Sequence, residues 1–335
     1  MASLGGELKV EVSYVPGNHD RLVALFPAAR KAARDILGLG DASSPFPARL
    51  HCSKHGVLAV HGHEFDAYNH ERPDAQNPDG VPIGDPITTE LVARIPKTVA
   101  AAIHDGVPGV APETASRIER NFESLEDVRP MSAIVEWLLS HVRNEPELEE
   151  AVHRGLDAAV SVFTSLPFVQ HWFDKHDSWM SWDDDADRLQ WLLWVAGNVP
   201  LHTAGKLAPS VMKLRKLAQG PDPFVAAARD MFDGVDLDTH FVVMGHTHHA
   251  KREAVQVIPR PGRPPIRRVY LNTGTWRPCH YRCSDGSGFL AWKEMTFTMI
   301  YAPEERRDRG MPSFETWSGT LDAGESSRYE SPPAA

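Results

Sequence analysis

Cysteine is scarce in this chain: Cys52, Cys279 and Cys283 are the only three in 335 residues. An odd set of thiols supports no disulfide framework, and Cys279-x-x-x-Cys283 lacks the second pair that a structural zinc site needs. Free thiols in a reducing cytoplasm are the expectation. No apolar run is long enough to span a bilayer, and the first residues lack the charged region and apolar core of a signal peptide. Positive charge is in deficit, with 35 Lys and Arg against 45 Asp and Glu for a net −10, so there is no basic footprint for nucleic acid. Neither a Gly-x-x-x-x-Gly-Lys phosphate loop nor a Gly-x-Ser-x-Gly nucleophile elbow occurs. What remains is an ordinary soluble composition, 42% hydrophobic and 24% charged, in a chain long enough for one large domain or two small ones.

Against these absences stands a design used three times. An apolar run, Leu8 to Val15, ends in Pro16-Gly17-Asn18-His19-Asp20. Val57-Leu58-Ala59-Val60 runs into His61-Gly62-His63-Glu64-Phe65-Asp66, and Phe241-Val242-Val243-Met244 into Gly245-His246-Thr247-His248-His249. Each reads as a strand that delivers polar side chains onto a loop at its C-terminal end. Three such ends can meet at one sheet edge, and imidazole, amide and carboxylate groups are ligands for divalent metals. Taken alone, Asn18 is better read as a turn residue. It is the set of three that favours ligands.

Gly17-Asn18-His19-Asp20, His61-Gly62-His63 and Gly245-His246-Thr247-His248, in that order, resemble the motifs of the calcineurin-like metallophosphoesterases. With Leu271-Asn272-Thr273-Gly274-Thr275-Trp276, the chain is loosely similar to the UDP-2,3-diacylglucosamine hydrolase-like bacterial branch. The resemblance implies an α/β two-sheet sandwich flanked by helices. It also implies metal-dependent hydrolysis of a phosphomonoester, phosphodiester or pyrophosphate bond in a small phosphorylated substrate. The ions would be a pair of Mn, Fe or Zn, about 3.5–4 Å apart in such sites. Asn18, His61 and His246 are implied as ligands of one ion and His248 of the other. His19 would act on the phosphoryl oxygens or the leaving group, with Asp20 orienting it. His63 would touch substrate or merely pack. Glu64, Asp66 and His249 read as supporting or surface groups.

Two further family motifs, Asp-x-His and Gly-Asp-x-x-Asp, do not precede Gly17. Asp174-Lys175-His176 and Asp238-Thr239-His240 match the first only by chance, one inside a helical stretch and the other at the wrong end of a strand. The expectation is an incomplete N-terminal core, either truncated or with one metal site lost, that holds one ion tightly and hydrolyses esters poorly. The alternative from another class is a non-catalytic protein that retains a phosphate-binding cleft.

The rest of the chain gives the organisation. Residues 1–66 and 236–301 read as two halves of the core. Residues 67–235 read as a mainly helical insertion or cap, with Ser132–Val142 and Leu148–Phe163 the clearest periodic runs, and 302–335 as a partly disordered tail. Strands are expected at Arg49–Cys52 and Val57–Val60 as a hairpin, and at 239–244, 253–258, 267–271 and 289–301. Leu22, Leu25, Ala29, Ala32, Ala33 and Ile36 offer an apolar helix face after Asp20. Trp172, Trp179, Trp182, Trp191 and Trp194 read as core of the insertion or as an apolar lid. Asp183-x-Asp185-x-Asp187 opens like a calcium loop, but Arg188 and Trp194 replace its glycine and its glutamate.

Overall fold

The computed structural model describes residues 11–39, 45–129, 133–142, 145–176, 222–305 and 311–325. In chain order these form α1 (Arg21–Leu25), α2 (Pro27–Leu37), β1 (Arg49–Cys52), β2 (Val57–Val60), α3 (Ile95–Gly106), α4 (Pro112–Phe122) and β3 (Val128–Arg129). Next come α5 (Ile134–Ser140), α6 (Pro146–Ser165), α7 (Pro167–His176) and α8 (Pro223–Asp233). The chain continues as β4 (Phe241–Met244), β5 (Ala250–Arg260), β6 (Arg263–Thr273), β7 (Pro278–Arg282), β8 (Phe289–Tyr301) and β9 (Ser313–Glu325). The fold is mixed α/β with two open sheets, ordered β1-β2-β4-β6-β5 and β3-β7-β8-β9. No helix among the described residues is long and apolar enough to cross a membrane.

The chain divides into two compact units. The first comprises Met1–Asp66, Pro221–Thr275 and Met295–Gly319. Its sheet has a parallel centre, β2, β4 and β6, flanked by antiparallel β1 and β5. Phe241, Val242 and Met244 are buried, as the continuous apolar run of a parallel interior strand requires. β1 and β2 form a hairpin that turns at Gly56, whose φ of 63° is left-handed and whose missing Cβ leaves room for the Asp238 carbonyl. Helix α8 starts with Asp222 accepting from the Phe224 and Val225 N–H groups, with Pro223 in its first turn. It buries Ala227, Ala228, Met231 and Phe232 with Leu58, Val60, Val242, Met244 and Tyr270.

Two expectations fail in this unit. The described part of the expected first strand, residues 11–15, pairs with nothing in a sheet, because β1 takes the edge beside β2. The apolar face read for the following helix is exposed: Leu22 is 64%, Leu25 60% and Ile36 84% accessible, and α1 and α2 bury no residue. In addition, the stretch read as tail contains an ordered strand, β9, whose Ser318 and Thr316 hydroxyls bond Thr296 and Thr298 of β8.

The second unit comprises Ala67–Gly220, Trp276–Glu294 and Thr320–Ala335. Its described residues are mainly helical, and they also include β3, β7 and the start of β8. Pro146 and Pro167 divide the helical run into pieces, and each stands in the first turn of the helix that follows, where the missing N–H costs nothing. The core joins Val99 and Ile103 of α3, Ile118 and Phe122 of α4, Trp137 and Leu138 of α5, and Val152 and Leu156 of α6. A second cluster holds Ile83, Phe163, Val169 and Trp172, so Trp172 is core. Trp179, Trp182, Trp191, Trp194 and the Asp183–Asp187 run lie outside the described residues. Surface pairs at 2.7 Å, Arg277 with Glu126 and Arg282 with Glu136, link the strand segments to the helices.

Helices α3 and α6 meet at Gly155, where an added Cβ would stand 2.5 Å from the Val99 Cα and 2.7 Å from its amide nitrogen. Alanine in an exposed helix is worth about 1 kcal/mol over glycine. At this site the sign reverses, because backbone cannot give way. Gly155→Ala is expected to destabilise the protein by about 1–3 kcal/mol, the usual cost of overpacking. The urea unfolding midpoint checks this, and a midpoint raised by Gly155→Ala would contradict the close approach.

Candidate functional site

The parallel pairing of β2 with β4 runs Val57 to Phe241, Leu58 to Val242 and Ala59 to Val243. Both strands therefore end at the same edge, and the residues that follow are neighbours. The Gly245 N–H donates to the His61 carbonyl at 3.1 Å and fastens the two turns together. Gly62, at φ 101°, bends the chain over Met244 into a short turn at His63–Phe65. On the other side, Gly245–His249 doubles back with His246 at φ 65° and His248 at φ 59°. A left-handed non-glycine residue costs on the order of 1–2 kcal/mol, so two in one turn mark a conformation that its surroundings must enforce.

The side chains converge. The His61 and His246 rings have centroids 5.3 Å apart, and His61 and His63 are 5.2 Å apart with their Nδ1 atoms at 3.2 Å. His246 Nε2 lies 2.8 Å from Asp66 Oδ2. A carboxylate accepts only, so in the neutral ring this pair places the proton on Nε2 and the lone pair on Nδ1. The ring also packs against Phe224 of α8, with centroids 5.9 Å apart. Asp66, read from the sequence as a supporting or surface group, thus holds an imidazole that was read as a ligand. Only its place five residues after His61 hinted at this.

The third motif arrives from the N-terminal segment. Asn18, His19 and Asp20 form a single 3-10 turn. Gly17 before it is buried and lies so close to the His61 ring that a Cβ there would overlap Nε2, Cδ2 and Cε1. Its φ of −95° is open to any residue, so space alone calls for glycine. Asp20 Oδ2 accepts from the Gly17 N–H at 2.8 Å, and Asp20 also bonds the Tyr14 hydroxyl. Burial and that carboxylate raise the Tyr14 pKa above its ordinary 10.0. The contacts of Asp20 fix the turn itself. His19 is exposed beside it.

The structure therefore brings together His61, His63, His246 and Asp66, with the Asn18–Asp20 turn against His61. His248 shares the strained turn with His246 and is half-buried. Among the described residues, no three His, Cys, Asp or Glu side chains already stand as a group able to hold a metal ion. The donor chemistry nevertheless suits a divalent cation: neutral imidazoles, one amide and a nearby carboxylate. His61 is pushed down from 6.5 to about 4, first by burial, then by His246 and His63, with Asp20 opposing and His19 adding a little. Its ring is neutral at neutral pH and keeps a lone pair. No protein-family model, curated protein or solved structure matches this chain.

The depressed His61 pKa gives a pH window. Folded His61 stays neutral while the unfolded chain takes up a proton near 6.5. Its contribution to stability is complete above that value and is lost as pH falls from 6.5 toward about 4. Titration by NMR is expected to place the His61 midpoint near 4, and Asp20→Asn is expected to lower it further. A wild-type midpoint at 6.5 would show that His61 is not confined by this cluster.

Proposed function

We propose that this chain is a calcineurin-like metallophosphoesterase, built on that family's two-sheet sandwich, which hydrolyses a small phosphorylated compound at the edge where β2 and β4 end. The supporting observation is the juxtaposition of three separate motifs: the His61 and His246 rings at 5.3 Å, and the Gly17–Asp20 segment seated against His61. Residues 43 and 185 positions apart in the sequence have no local reason to meet in this way. Asn18, His61 and His246 would hold one divalent ion, with His248 on the same turn as the remaining donor. When bound, that ion would neutralise phosphoryl charge and make a water more acidic.

The chain's own residues divide the remaining work. Asp66 fixes the His246 tautomer and ring orientation through the 2.8 Å contact. His61, neutral by burial, offers its lone pair without competition from protons. His19 is exposed on the turn beside the ligand Asn18, where an incoming phosphoryl group can be met, and it serves as hydrogen-bond donor and proton source to the leaving oxygen. Asp20 keeps that turn closed by accepting from Gly17 and Tyr14. His63, whose Nδ1 lies 3.2 Å from that of His61, would touch substrate or merely pack against that ring. The donors held in place by this unit suit one ion better than two, because the proposed ligands are all uncharged and two close cations need a carboxylate between them.

The test is metal content per chain together with hydrolysis of a chromogenic phosphodiester in manganese. About one tightly held ion is expected, and His61→Ala or His246→Ala should release it. His19→Ala should retain the ion while turnover drops by roughly 10²–10⁴-fold, the usual worth of general acid–base help. Bound manganese without turnover in the wild type would overturn the hydrolase reading and leave a metal-binding protein. Metal content unchanged in both His61→Ala and His246→Ala would remove the site.

A further inference from the structure

The turn that carries His246 and His248 is held only partly from within, where the His249 N–H donates to the Thr247 hydroxyl at 3.3 Å. Its left-handed residues, at φ 65° and 59°, need an outside support, and one buried amide supplies it. Asn272, near the end of β6 and 3% exposed, stands directly beside Met244 in the parallel register of β4 and β6. Its Nδ2 group donates to the Gly245 carbonyl at 2.6 Å, with the Thr247 hydroxyl and the Tyr270 hydroxyl both at 3.1 Å. Its Oδ1 accepts from the Gly274 N–H at 2.9 Å. The Gly245 carbonyl also takes the Thr247 N–H at 2.8 Å, so Asn272 grips the first and third residues of the turn.

We infer that Asn272 is a positioning residue for the proposed metal ligands His246 and His248. It touches neither imidazole. It fixes the backbone from which both project, and through Gly274 it ties that backbone to the segment leaving β6. The chemistry demands an amide. Two N–H donors and one carbonyl acceptor match the mixture of acceptors and one donor around the side chain. Aspartate at this position keeps the acceptor for Gly274 but has no donor for the Gly245 carbonyl, leaving two oxygens opposed across 2.6 Å. Leucine keeps the volume and loses every bond, so buried backbone groups are stranded. Gly274 is itself constrained, at φ 69° with an added Cβ only 2.9 Å from the Ala250 amide nitrogen, and that backbone cannot move to compensate.

The inference rests on the reading of His246 as a ligand, and the experiment separates the two. Cobalt(II) binding and its visible d–d absorption are measured on the wild type, Asn272→Asp, Asn272→Ser and Val242→Ala, with the melting temperature of each. Val242 is a fully buried core residue of β4 and controls for lost stability alone. Asn272→Asp and Asn272→Ser are expected to weaken cobalt binding roughly 10- to 100-fold, as losing a group that orients ligands does, and to change the absorption bands. Val242→Ala is expected to melt earlier with wild-type affinity and spectrum. If the wild type binds no cobalt, the ligand reading falls and this inference with it. If the wild type binds and both Asn272 variants match its affinity and spectrum, the ligand reading stands and the inference is wrong. If Val242→Ala shifts affinity and spectrum as much as they do, the effect is general stability, and the inference is again wrong.

Discussion

Everything at the candidate site depends on two parallel strands ending together. β2 and β4 are 184 residues apart at their paired ends, Ala59 and Val243, and only their shared register brings His61 within reach of His246. The Gly245 N–H to His61 carbonyl bond completes that register past the last paired residues. A slip by one residue would turn every side chain to the opposite face and undo both the core contacts of Leu58 and Val242 and the meeting of the two imidazoles. Core packing and site assembly are therefore one constraint. The strands whose apolar residues α8 covers include the two that carry the histidines at their ends.

The polar residues around this edge do different kinds of work. Asp66 and Asn272 each hold something in place, the first a ring and the second a backbone turn. Gly17 contributes by having no side chain, which lets the N-terminal segment lie against His61. Burial keeps His61 neutral, whereas the His246 tautomer is set by a specific carboxylate partner. These are two routes to the same result, an imidazole with an available lone pair. The cost is concentrated at His246 and His248, where the backbone is held left-handed.

Much of this was legible in the sequence where local pattern and tertiary context agree. The β1–β2 hairpin has the expected bounds because Lys54-His55-Gly56 provides a turn and Gly56 can adopt positive φ. β8 runs from Phe289 to Tyr301 as its composition indicates. The helices at 134–140 and 146–165 follow the apolar period, with Pro146 acting as a starter. Where the reading failed, a partner decided the outcome. Residues 11–15 have strand composition but pair with no strand among the described residues, and a strand exists only by pairing. Ile36 has the right spacing for a buried face, yet it is 84% exposed. β9 is polar enough to read as tail, but the hydroxyls of Thr316 and Ser318 find matching hydroxyls on β8. The Asp66–His246 contact spans 180 residues, and no local pattern encodes it.

The exposed pair α1–α2 gives the site an uneven rigidity. Helices that bury no residue open locally at a small fraction of the free energy needed to open a packed sheet. The Asn18–Asp20 turn leads directly into that pair, whereas His61 and His246 are anchored at the ends of central strands. One wall of the candidate site thus rests on paired central strands, and the other, carrying Asn18 and His19, on a turn closed by Asp20 that leads into exposed helices.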